Sequence, residues 1–394
     1  MDNTTMDNTT MDNAYTGENN TAGVNNMTIV NNITGISNTA AVADDAVDFE
    51  WISRATDIGI WIELYPTPFI ALFGIVGNTL ALIVMTKGRN RTLATCNYIS
   101  ALAIVDNFQM INMVYYWLYS YVTRSTVTIA VCQAVIFLAN LWQECSIYLI
   151  IAMSVDRTLA VKFPLKKSIW CTVERARKVI ALVIVLAILR NIHFIWYAYP
   201  ATIDAERNFA LCSGYESPVD APGRVLSWID TLVQSIIPTV TLLILNTLLI
   251  GSIRARSKVS TQMTTDQKKR KHSRDLTVML IIVSFSVLIF TLPINVAVVI
   301  YGIIGIDLTN IGTFLIVHAI TDRLYFMNNA VNFYLYCMGM ARFREQVLSL
   351  IRKLTRNSVT PAAEGSGLEG PATRQTGLID PSSNAQLATG EMAE

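Results

Sequence analysis

Seven long apolar blocks occupy most of the chain between residues 64 and 338. An α-helix needs about 20 apolar residues to cross the hydrocarbon core of a bilayer. Hydrophobicity on every side of each block excludes the alternating pattern of a transmembrane β-barrel, and backbone groups in lipid must find partners within their own segment. The pattern predicts an all-α fold, a seven-transmembrane helix bundle in a lipid bilayer. The blocks cover 64–86, 96–121, 129–160, 178–200, 225–251, 275–301 and 311–338.

The connections between blocks differ in basic residues. Those after the first, third and fifth blocks contain many lysines and arginines, whereas the opposite connections contain only Arg124, Arg207 and Arg224. Cytoplasmic loops carry the excess of lysine and arginine in membrane proteins. We therefore expect a multi-pass plasma-membrane protein with an extracellular N-terminus.

The two ends of the chain are polar. We expect residues 1–62 to be a disordered extracellular tail and residues 355–394 a disordered cytoplasmic tail. Between them, the region 63–354 would contain the bundle and an amphipathic helix from Ala341 to Leu354 on the inner membrane surface. Five N-x-S/T sequons predict N-glycosylation, although an Asn/Thr-rich tail also produces sequons by chance. They lie at Asn3, Asn8, Asn19, Asn26 and Asn32.

Composition agrees with a membrane protein, since charged residues make up only 15% of the chain. Soluble domains usually carry about 25%. The six cysteines lack the spacing of a zinc site or a redox motif. We find no nucleophile–base pair or catalytic metal cluster, and we expect neither an enzyme nor a nucleic-acid-binding protein.

Polar residues occur deep inside the apolar blocks, where a central charge costs roughly 2.5–3.5 kcal/mol. One explanation is a shared polar cluster that holds a small cation. The alternative is a set of separate polar contacts that join helices. The residues are Asn78, Asp106, Ser146, Asn328, Asn329 and Asn332.

Short motifs recur at fixed places along the blocks: Gly77-Asn78, Leu102 to Asp106, Asp156-Arg157-Thr158, Pro238, Pro293 and Asn332 to Tyr336. In this order the chain resembles a rhodopsin-like (class A) G-protein-coupled receptor from about Tyr65 to Leu354. The strings NFYLYC and NIHFIW are most similar in pattern to invertebrate FMRFamide-like neuropeptide receptors.

The resemblance implies roles for several residues. An allosteric sodium pocket would contain Asn78, Asp106, Ser146, Asn328 and Asn332, with Asp106 as the metal ligand. It also implies that Asp156 tethers Arg157 until a G protein binds, that Tyr336 moves inward on activation and that Pro293 kinks its helix. Cys132 and Cys212 would form a disulfide, and both fall on the oxidising side of the membrane.

Four positions depart from the family pattern. Thr158 stands where a tyrosine is usual, and Phe333 replaces the proline of the last motif. Thr291 takes the place of the usual tryptophan, and Asn246 that of a tyrosine.

Polar residues in the outer parts of the blocks are candidate ligand contacts. Carboxylates that face a cavity suit a cationic ligand, such as a peptide with an arginine near an amidated C-terminus. The alternative is that Arg190 and Arg323 neutralise Glu144 and Asp322. The candidates are Glu144, Asp230, Asp322, Gln143 and Gln234. Monoamines and retinal are disfavoured, because Ala139 and Phe326 occupy the positions of the usual aspartate and lysine.

These observations predict a receptor that binds an extracellular neuropeptide, activates a heterotrimeric G protein and recruits arrestin through its tail. A chemosensory receptor for a small polar molecule is the alternative within this class. A transporter or proton pump would show internal repeats and broken helices, and we find neither.

Overall fold

The computed structural model describes residues 49–122, 127–204, 209–215, 221–259, 267–306 and 309–359. The five predicted glycosylation sites and the chain beyond Val359 lie outside the described residues. The chain divides into two compact units, Met1–Leu348 and Ser349–Glu394. Within the second unit, the described residues form the last turns of a helix that ends at Val359.

Seven long helical segments, here called spans 1 to 7, form the first unit within the described residues. Span 1 comprises Phe49–Leu64 and Pro66–Thr86, and span 2 is Ala94–Trp117 with a π-helical turn at Leu118–Val122. Span 3 is Ile129–Lys162, span 4 is Val173–Asn191, span 6 is Gln267–Ile304 and span 7 is Ile311–Gly339. Span 5 has three parts, which are the helix Ala221–Thr231, a π-helical turn at Leu232–Ile236 and the helix Ile237–Val259. The shorter elements are the 3₁₀ turns Gly88–Thr92 and Pro164–Lys166, the helices Lys167–Trp170 and Phe194–Tyr197, the strands Tyr199–Asp204 and Phe209–Ser213, and a final helix, Ala341–Val359.

Five helices in the described part of the chain are long and apolar enough to cross a membrane by themselves. Spans 2 and 7 are the two that fall short of this measure. Both carry buried polar residues on their inward faces, among them Asp106 and Gln109 in span 2 and Asn329 and Asn332 in span 7. The prediction of a seven-helix bundle is confirmed, and its two least apolar spans contain much of its polar chemistry.

Span 1 begins earlier than predicted, because residues 49–64 form a helix rather than part of a disordered tail. This outer helix packs against span 7 through small residues. A Cβ added at Gly312 would lie 2.7 Å from Trp51 Nε1 and 3.2 Å from the Cβ of Ala55. Short side chains let the two backbones approach closely. The prediction that the disordered tail extends to residue 62 is therefore wrong, because a helix begins at Phe49.

Span 4 is displaced from its predicted limits of 178–200. Its helix starts at Val173 and ends at Asn191, and a strand begins at Tyr199. The side chain of Thr172 accepts a hydrogen bond from the backbone N–H of Arg175 and caps the helix. Apolar residues continue beyond the helix, so hydrophobicity by itself did not mark its end.

An antiparallel hairpin (Tyr199–Asp204 with Phe209–Ser213) covers the outer side, the side predicted to be extracellular. A disulfide joins Cys212 to Cys132 at the start of span 3, with Cα atoms 5.1 Å apart. The backbone N–H of Cys212 also donates to the hydroxyl of Tyr116 in span 2, at 3.1 Å. The predicted disulfide pair is present and attaches the hairpin to the bundle.

On the inner side, the final helix begins directly after span 7. Phe343 is 2% exposed, and its ring meets the edges of Phe333 and Tyr336 with centroids 5.7 Å and 5.9 Å away. Asn90 donates to the side chain of Gln346 at 3.0 Å. The predicted helix from Ala341 is present and extends to Val359, whereas its position on a membrane surface stays a prediction.

Candidate functional site

The inner polar cluster consists of Asn78, Asp106, Ser146, Asn329 and Asn332, from spans 1, 2, 3 and 7. The Asp106 side chain is fully buried. Its Oδ1 accepts hydrogen bonds from Ser146 Oγ at 2.8 Å and from Asn329 Nδ2 at 3.2 Å. Its Oδ2 accepts from Asn332 Nδ2 at 2.8 Å. Three neutral donors from two other spans therefore surround one carboxylate.

Asn78 joins this cluster through the backbone of span 7. Its Nδ2 donates to the carbonyl oxygen of Asn329 at 3.0 Å. The neighbouring Gly77 lets span 7 come close, since a Cβ there would lie 3.0 Å from the Cβ of Phe333. The Gly77-Asn78 pair thus combines a space for span 7 with a hydrogen bond to it.

Asn328 was also predicted in this cluster, but it does not bond to Asp106. Its amide is buried and has no hydrogen-bond partner among the described residues. Steps of three and of four along a helix both return to nearly the same face, so spacing places Asn328 and Asn329 equally close to Asn332. Only the structure shows that Asn329 and Asn332 are the asparagines that donate to Asp106.

The chemistry of the cluster fits a hard monovalent cation. When ionised, Asp106 carries one negative charge, and no lysine or arginine of the described residues pairs with it. The side-chain oxygens of Asn329 and Asn332 are buried without partners in that same part of the chain. Hard cations take oxygen ligands of this kind. Among the described residues, no group of three or more His, Cys, Asp or Glu forms a site for a multivalent metal.

At the inner end of span 3, Asp156 and Arg157 form a buried ion pair. Arg157 Nη2 lies 3.6 Å from Asp156 Oδ2, a distance that makes the contact an ion pair rather than a hydrogen bond. The Cys171 thiol donates to the backbone oxygen of Asp156 at 3.4 Å. Burial raises the pKa of this thiol to about 11, so it remains a protonated donor. The geometry matches the predicted tether.

Two of the positions that depart from the family motif make hydrogen bonds within their own helices, and a third is buried without a partner among the described residues. The hydroxyl of Thr158 donates to the carbonyl of Ser154 and that of Thr291 to the carbonyl of Val287, each at 2.8 Å and within its own helix. Asn246 is buried with both amide atoms unpartnered among the described residues. These small side chains fill positions where the family carries rings.

Tyr336 and Pro293 are the other two residues with predicted roles in activation. Tyr336 is 1% exposed, and its hydroxyl has no hydrogen-bond partner in the described part of the chain. Pro293 is inside span 6, where it removes a helical donor. Their movement on activation stays a prediction.

A cavity of about 520 Å³, here called the outer cavity, opens between spans 1, 2, 3 and 7 beneath the hairpin. Ala139 and Phe326, the positions that disfavour a monoamine or retinal, both lie in its wall. Its aromatic and charged lining residues are Tyr116, Trp117, Tyr121, Phe314, His318, Tyr325, Phe326, Glu63, Asp322 and Arg323.

The charged wall of the outer cavity contains two carboxylates and one guanidinium. The Tyr121 hydroxyl donates to Glu63. Arg323 donates to Asp322 and to the hydroxyl of Thr67, and lies 5.1 Å from the centre of the Phe326 ring. Two acids and one arginine give this wall a formal net charge of −1.

A second buried group, the outer ion network, lies between spans 3, 4 and 5 and consists of Glu144, Arg190, Asn191, His193, Tyr215 and Asp230. Arg190 donates to both Glu144 and Asp230. Asn191 Nδ2 adds a hydrogen bond to Glu144 at 2.6 Å. Neither carboxylate lines the outer cavity. Arg190 therefore pairs with Glu144, as the alternative proposed, whereas contact of Glu144 and Asp230 with a ligand stays a prediction.

His193 and Tyr215 extend this network to the loop after the hairpin. His193 Nδ1 faces the carbonyl of Arg190 at 2.9 Å, and Nε2 lies 3.1 Å from Asp230 Oδ2 and 2.9 Å from the Tyr215 hydroxyl. Tyr215 donates to Asp230. Burial raises the pKa of the Tyr215 phenol, so it keeps its proton for this bond. The network therefore fixes the outer ends of spans 4 and 5.

Of the five predicted ligand contacts, only Asp322 lines the outer cavity. Gln234 donates to Asn140 Oδ1 at 3.1 Å, and Asn140 lines the cavity in its place. The Gln143 amide is buried and has no hydrogen-bond partner among the described residues, and nothing in the structure explains why a polar side chain stands there. Glu63 and Arg323 were missed as contacts. An acid at the outer end of the first block is the signal that pointed to Glu63.

Several known receptors are similar to this chain in sequence. A probable G-protein-coupled receptor of Caenorhabditis elegans is 23% identical over 75% of this chain and 70% of its own length. The FMRFamide receptor of Drosophila melanogaster is 22% identical over 76% of this chain, and the match spans 56% of that receptor. A FMRFamide peptide receptor of Caenorhabditis elegans is 27% identical over 34% of this chain and 33% of its own length.

The family described as 7 transmembrane receptor (rhodopsin family) matches residues 77–336, more than half of the 394-residue chain. This range contains the inner polar cluster, the Asp156–Arg157 pair, the disulfide and Tyr336. It is a family of membrane receptors, not of enzymes. The chain belongs to the rhodopsin family of seven-transmembrane receptors.

Proposed function

We propose that this chain is a plasma-membrane G-protein-coupled receptor that binds an extracellular peptide in the outer cavity and activates a heterotrimeric G protein. Its N-terminus would be extracellular, as the loop charges predict. The observation that carries the proposal is the acidic and aromatic wall of the outer cavity. The FMRFamide receptors among the relatives support a peptide ligand.

The size and charge of the outer cavity favour part of a peptide with a basic side chain. Ligand pockets usually enclose about 300–1,000 Å³, and this one encloses about 520 Å³. Glu63 and Asp322 outnumber Arg323, so the wall attracts a cation, and carboxylates bind guanidinium groups through strong charge-assisted hydrogen bonds. Trp117 and Phe326 offer aromatic faces beside them.

At the inner side, we propose that ligand binding favours a state in which Arg157 leaves Asp156 and contacts the G protein. A ligand shifts this equilibrium only as far as it prefers one state over the other. Phosphorylation of the Ser/Thr-rich tail would then provide an arrestin site.

We also propose that the inner polar cluster binds a sodium ion. Asp106 and Ser146 would hold it, and the unpartnered side-chain oxygens of Asn329 and Asn332 are further candidate ligands. The ion would supply a positive charge next to Asp106. Asp106 would then be neutralised without a lysine or arginine in the membrane.

The test is calcium and cyclic AMP signalling in cells that express the full chain, challenged with a library of amidated neuropeptides. We expect a dose-dependent response that Arg157→Ala abolishes with normal surface expression. Glu63→Gln should raise the half-maximal concentration about 10- to 100-fold, equivalent to about 1.4–2.8 kcal/mol. Asp322→Asn should raise it less, because Arg323 pairs with Asp322.

The matched control is Glu50→Gln, which removes an acid from the same outer helix. Glu50 is 74% exposed and does not line the cavity, so peptide potency should not change. Equal losses in Glu50→Gln and Glu63→Gln would contradict the assigned binding wall. Silence across the library, with surface expression confirmed, would contradict a peptide ligand and favour a small polar molecule.

A further inference from the structure

His193, in the outer ion network, has an oxygen atom beside each of its two ring nitrogens. Nδ1 lies 2.9 Å from the carbonyl oxygen of Arg190, and Nε2 lies 3.1 Å from Asp230 Oδ2. Carbonyl and carboxylate oxygens only accept hydrogen bonds, whereas a neutral imidazole has a single N–H to donate. A neutral His193 would therefore leave one nitrogen facing an oxygen with no proton between them. The arrangement requires one proton more than a neutral histidine supplies.

The Tyr215 hydroxyl does not supply that proton. It lies 2.9 Å from His193 Nε2, but its single proton is donated to Asp230. The hydroxyl oxygen therefore faces Nε2 as a second acceptor. A carboxylic acid is ordinarily a stronger acid than an imidazolium, so the extra proton belongs on Nε2, where it lies between both oxygens. His193 is then an imidazolium.

The formal charge of the network also balances with this proton. Its two carboxylates and one guanidinium leave a net charge of −1 when the imidazole is neutral and zero when it is protonated. An unbalanced charge is costly in a largely buried site. The side chains of His193 and Asp230 are each 13% exposed, so protons can reach them from water. The charged and titratable groups around His193 in the described part of the chain are Glu144 from span 3, Arg190 from span 4, Tyr197 from the short helix after it, Tyr215 from the loop after the hairpin, and Asp230 from span 5.

Tyr215 connects this site to the outer cavity. The three residues before it, Cys212, Ser213 and Gly214, line that cavity. The Ser213 hydroxyl bonds to the carbonyl of Tyr215 at 3.0 Å and to its N–H at 3.4 Å. A Cβ added at Gly214 would lie 3.1 Å from the ring of Phe194, the residue after the histidine. Residues 212–215, here called the closing segment, are therefore held in place beside the histidine.

We propose that His193, Asp230 and Tyr215 form a proton-binding site that controls how firmly the closing segment covers the outer cavity. With the proton bound, Nε2–H donates to the Tyr215 hydroxyl and to Asp230, and hydrogen bonds from charged donors are roughly twice as strong as neutral ones. When the proton leaves, the lone pair of Nε2 faces both oxygens and this attraction is lost. Acid on the outer side therefore holds the segment, and alkali releases it.

The proton site requires neither a peptide nor a G protein. Its exposure to the pH outside the cell rests on the extracellular orientation given under the proposed function. The tests below use purified protein in nanodiscs, where both sides meet the same buffer. A failure of the proton site is therefore distinguishable from a failure of the proposed receptor function.

The first test measures the protonation of His193 by nitrogen-15 NMR on the full chain at about pH 7.5, where an ordinary exposed imidazole is mostly neutral. The chain has three histidines, so His272→Gln and His318→Gln assign the His193 signals by elimination without altering the network. We expect both ring nitrogens of His193 to carry a proton. A single N–H on His193 in the unaltered chain would overturn the proposal.

Asp230→Asn tests the cause of this protonation. The amide of an asparagine can itself donate to Nε2, so the extra proton is no longer required. We expect His193 to carry one N–H in this variant under the same conditions. Two N–H protons in Asp230→Asn would mean that the carboxylate does not hold the proton.

The second test measures amide hydrogen exchange in the closing segment at about pH 6 and about pH 8.5, on either side of the usual imidazole transition. The comparison is His193→Gln, whose amide can donate to Asp230 but does not titrate. Comparing the two proteins at each pH cancels the chemical pH dependence of exchange. We expect the unaltered chain to exchange about tenfold more slowly than His193→Gln at the lower pH, and at least as fast at the higher pH. The same ratio at both pH values would overturn the control of the segment by the proton.

His318→Gln is the matched control for exchange. It removes another histidine, whose ring packs against Phe314 in the wall of the outer cavity. The pH dependence of exchange in the closing segment should be unchanged. Its loss in His318→Gln would assign the effect to a different histidine and contradict the proposal.

Discussion

Span 3 carries two buried polar groups on opposite faces, and they handle negative charge differently. Ser146 bonds to Asp106 in the inner polar cluster. Glu144, two residues earlier, bonds to Arg190 in the outer ion network. Two residues turn a helix by about 200° but advance it by only about 3 Å. The two groups therefore lie at a similar level of span 3 on opposite sides of it.

The two buried carboxylates, Asp106 and Glu144, differ in the side chains that bond to them. Asp106 has three neutral hydrogen-bond donors and no basic partner among the described residues, whereas Glu144 shares Arg190 with Asp230. A buried carboxylate with neutral donors keeps its charge available for a mobile cation. One paired with arginine has its charge neutralised within the fold. Burial of an acid therefore does not by itself identify a binding site, and its partner decides.

The largest expected effect comes from removing the cation of the outer ion network. Arg190→Ala should lower the free energy of unfolding by about 3–5 kcal/mol, because it leaves the buried carboxylates of Glu144 and Asp230 without their arginine. Arg54→Ala breaks the exposed pair with Glu50, where both side chains are at least 70% exposed, and should cost about 0–1 kcal/mol.

Thermal unfolding measured with a thiol-reactive dye would compare these two variants, since Cys96 and Cys145 are buried until the protein unfolds. A similar small change in both would mean that the network contributes no more than a surface ion pair.

A smaller effect distinguishes two neighbouring asparagines of span 7. Asn329→Ala removes a donor to Asp106 and should destabilise the protein by about 1–3 kcal/mol. Asn328→Ala removes an amide that has no partner in the described residues, and should cost less. The same dye assay measures both, and a larger loss in Asn328→Ala would contradict the assignment of Asn329 to the inner polar cluster.

Sodium should stabilise the inner polar cluster selectively. A ligand present at ten times its dissociation constant adds about 1.4 kcal/mol to the stability of the folded state. We expect the unfolding midpoint to rise with sodium chloride relative to choline chloride, and Asp106→Asn to remove this rise. Asn328→Ala is the matched control and should keep it. A rise that persists in Asp106→Asn would exclude this site.

The smallest expected effect is the coupling between the two groups. Asn329→Ala removes an amide from the inner polar cluster, and Asn191→Ala removes one from the outer ion network. Among the described residues, no side chain bonds to members of both groups. Their effects on unfolding should add within about 0.5 kcal/mol. Asn329→Ala and Asn332→Ala both act on Asp106 and should couple more strongly. A large interaction free energy between Asn329→Ala and Asn191→Ala in a double-mutant cycle would mean that the two groups form one network.

Local sequence features were sufficient for much of the fold. Apolar blocks of membrane length predicted seven helices, because lipid leaves the backbone no other way to bond its polar groups. Asp106, Asn78, Ser146 and Asn332 were recognisable as one cluster, because a polar residue in an apolar block has few alternatives to another polar residue.

The outer half was predicted less well for a physical reason. Helix ends there merge into apolar loops, so hydropathy did not locate the end of span 4 or the start of span 1. The partners of Glu144 and Asp230 depend on how spans 3, 4 and 5 rotate against each other. Nothing within one block determines which acid meets Arg190.

The sequence by itself determined that this chain crosses the membrane through a seven-helix bundle, with one polar cluster and a disulfide at expected positions. Only the tertiary structure decided which carboxylates face the outer cavity and that Asn329 rather than Asn328 bonds to Asp106. Hydrophobic periodicity is encoded locally along the chain, whereas the pairing of charges depends on distances between residues that are far apart in sequence.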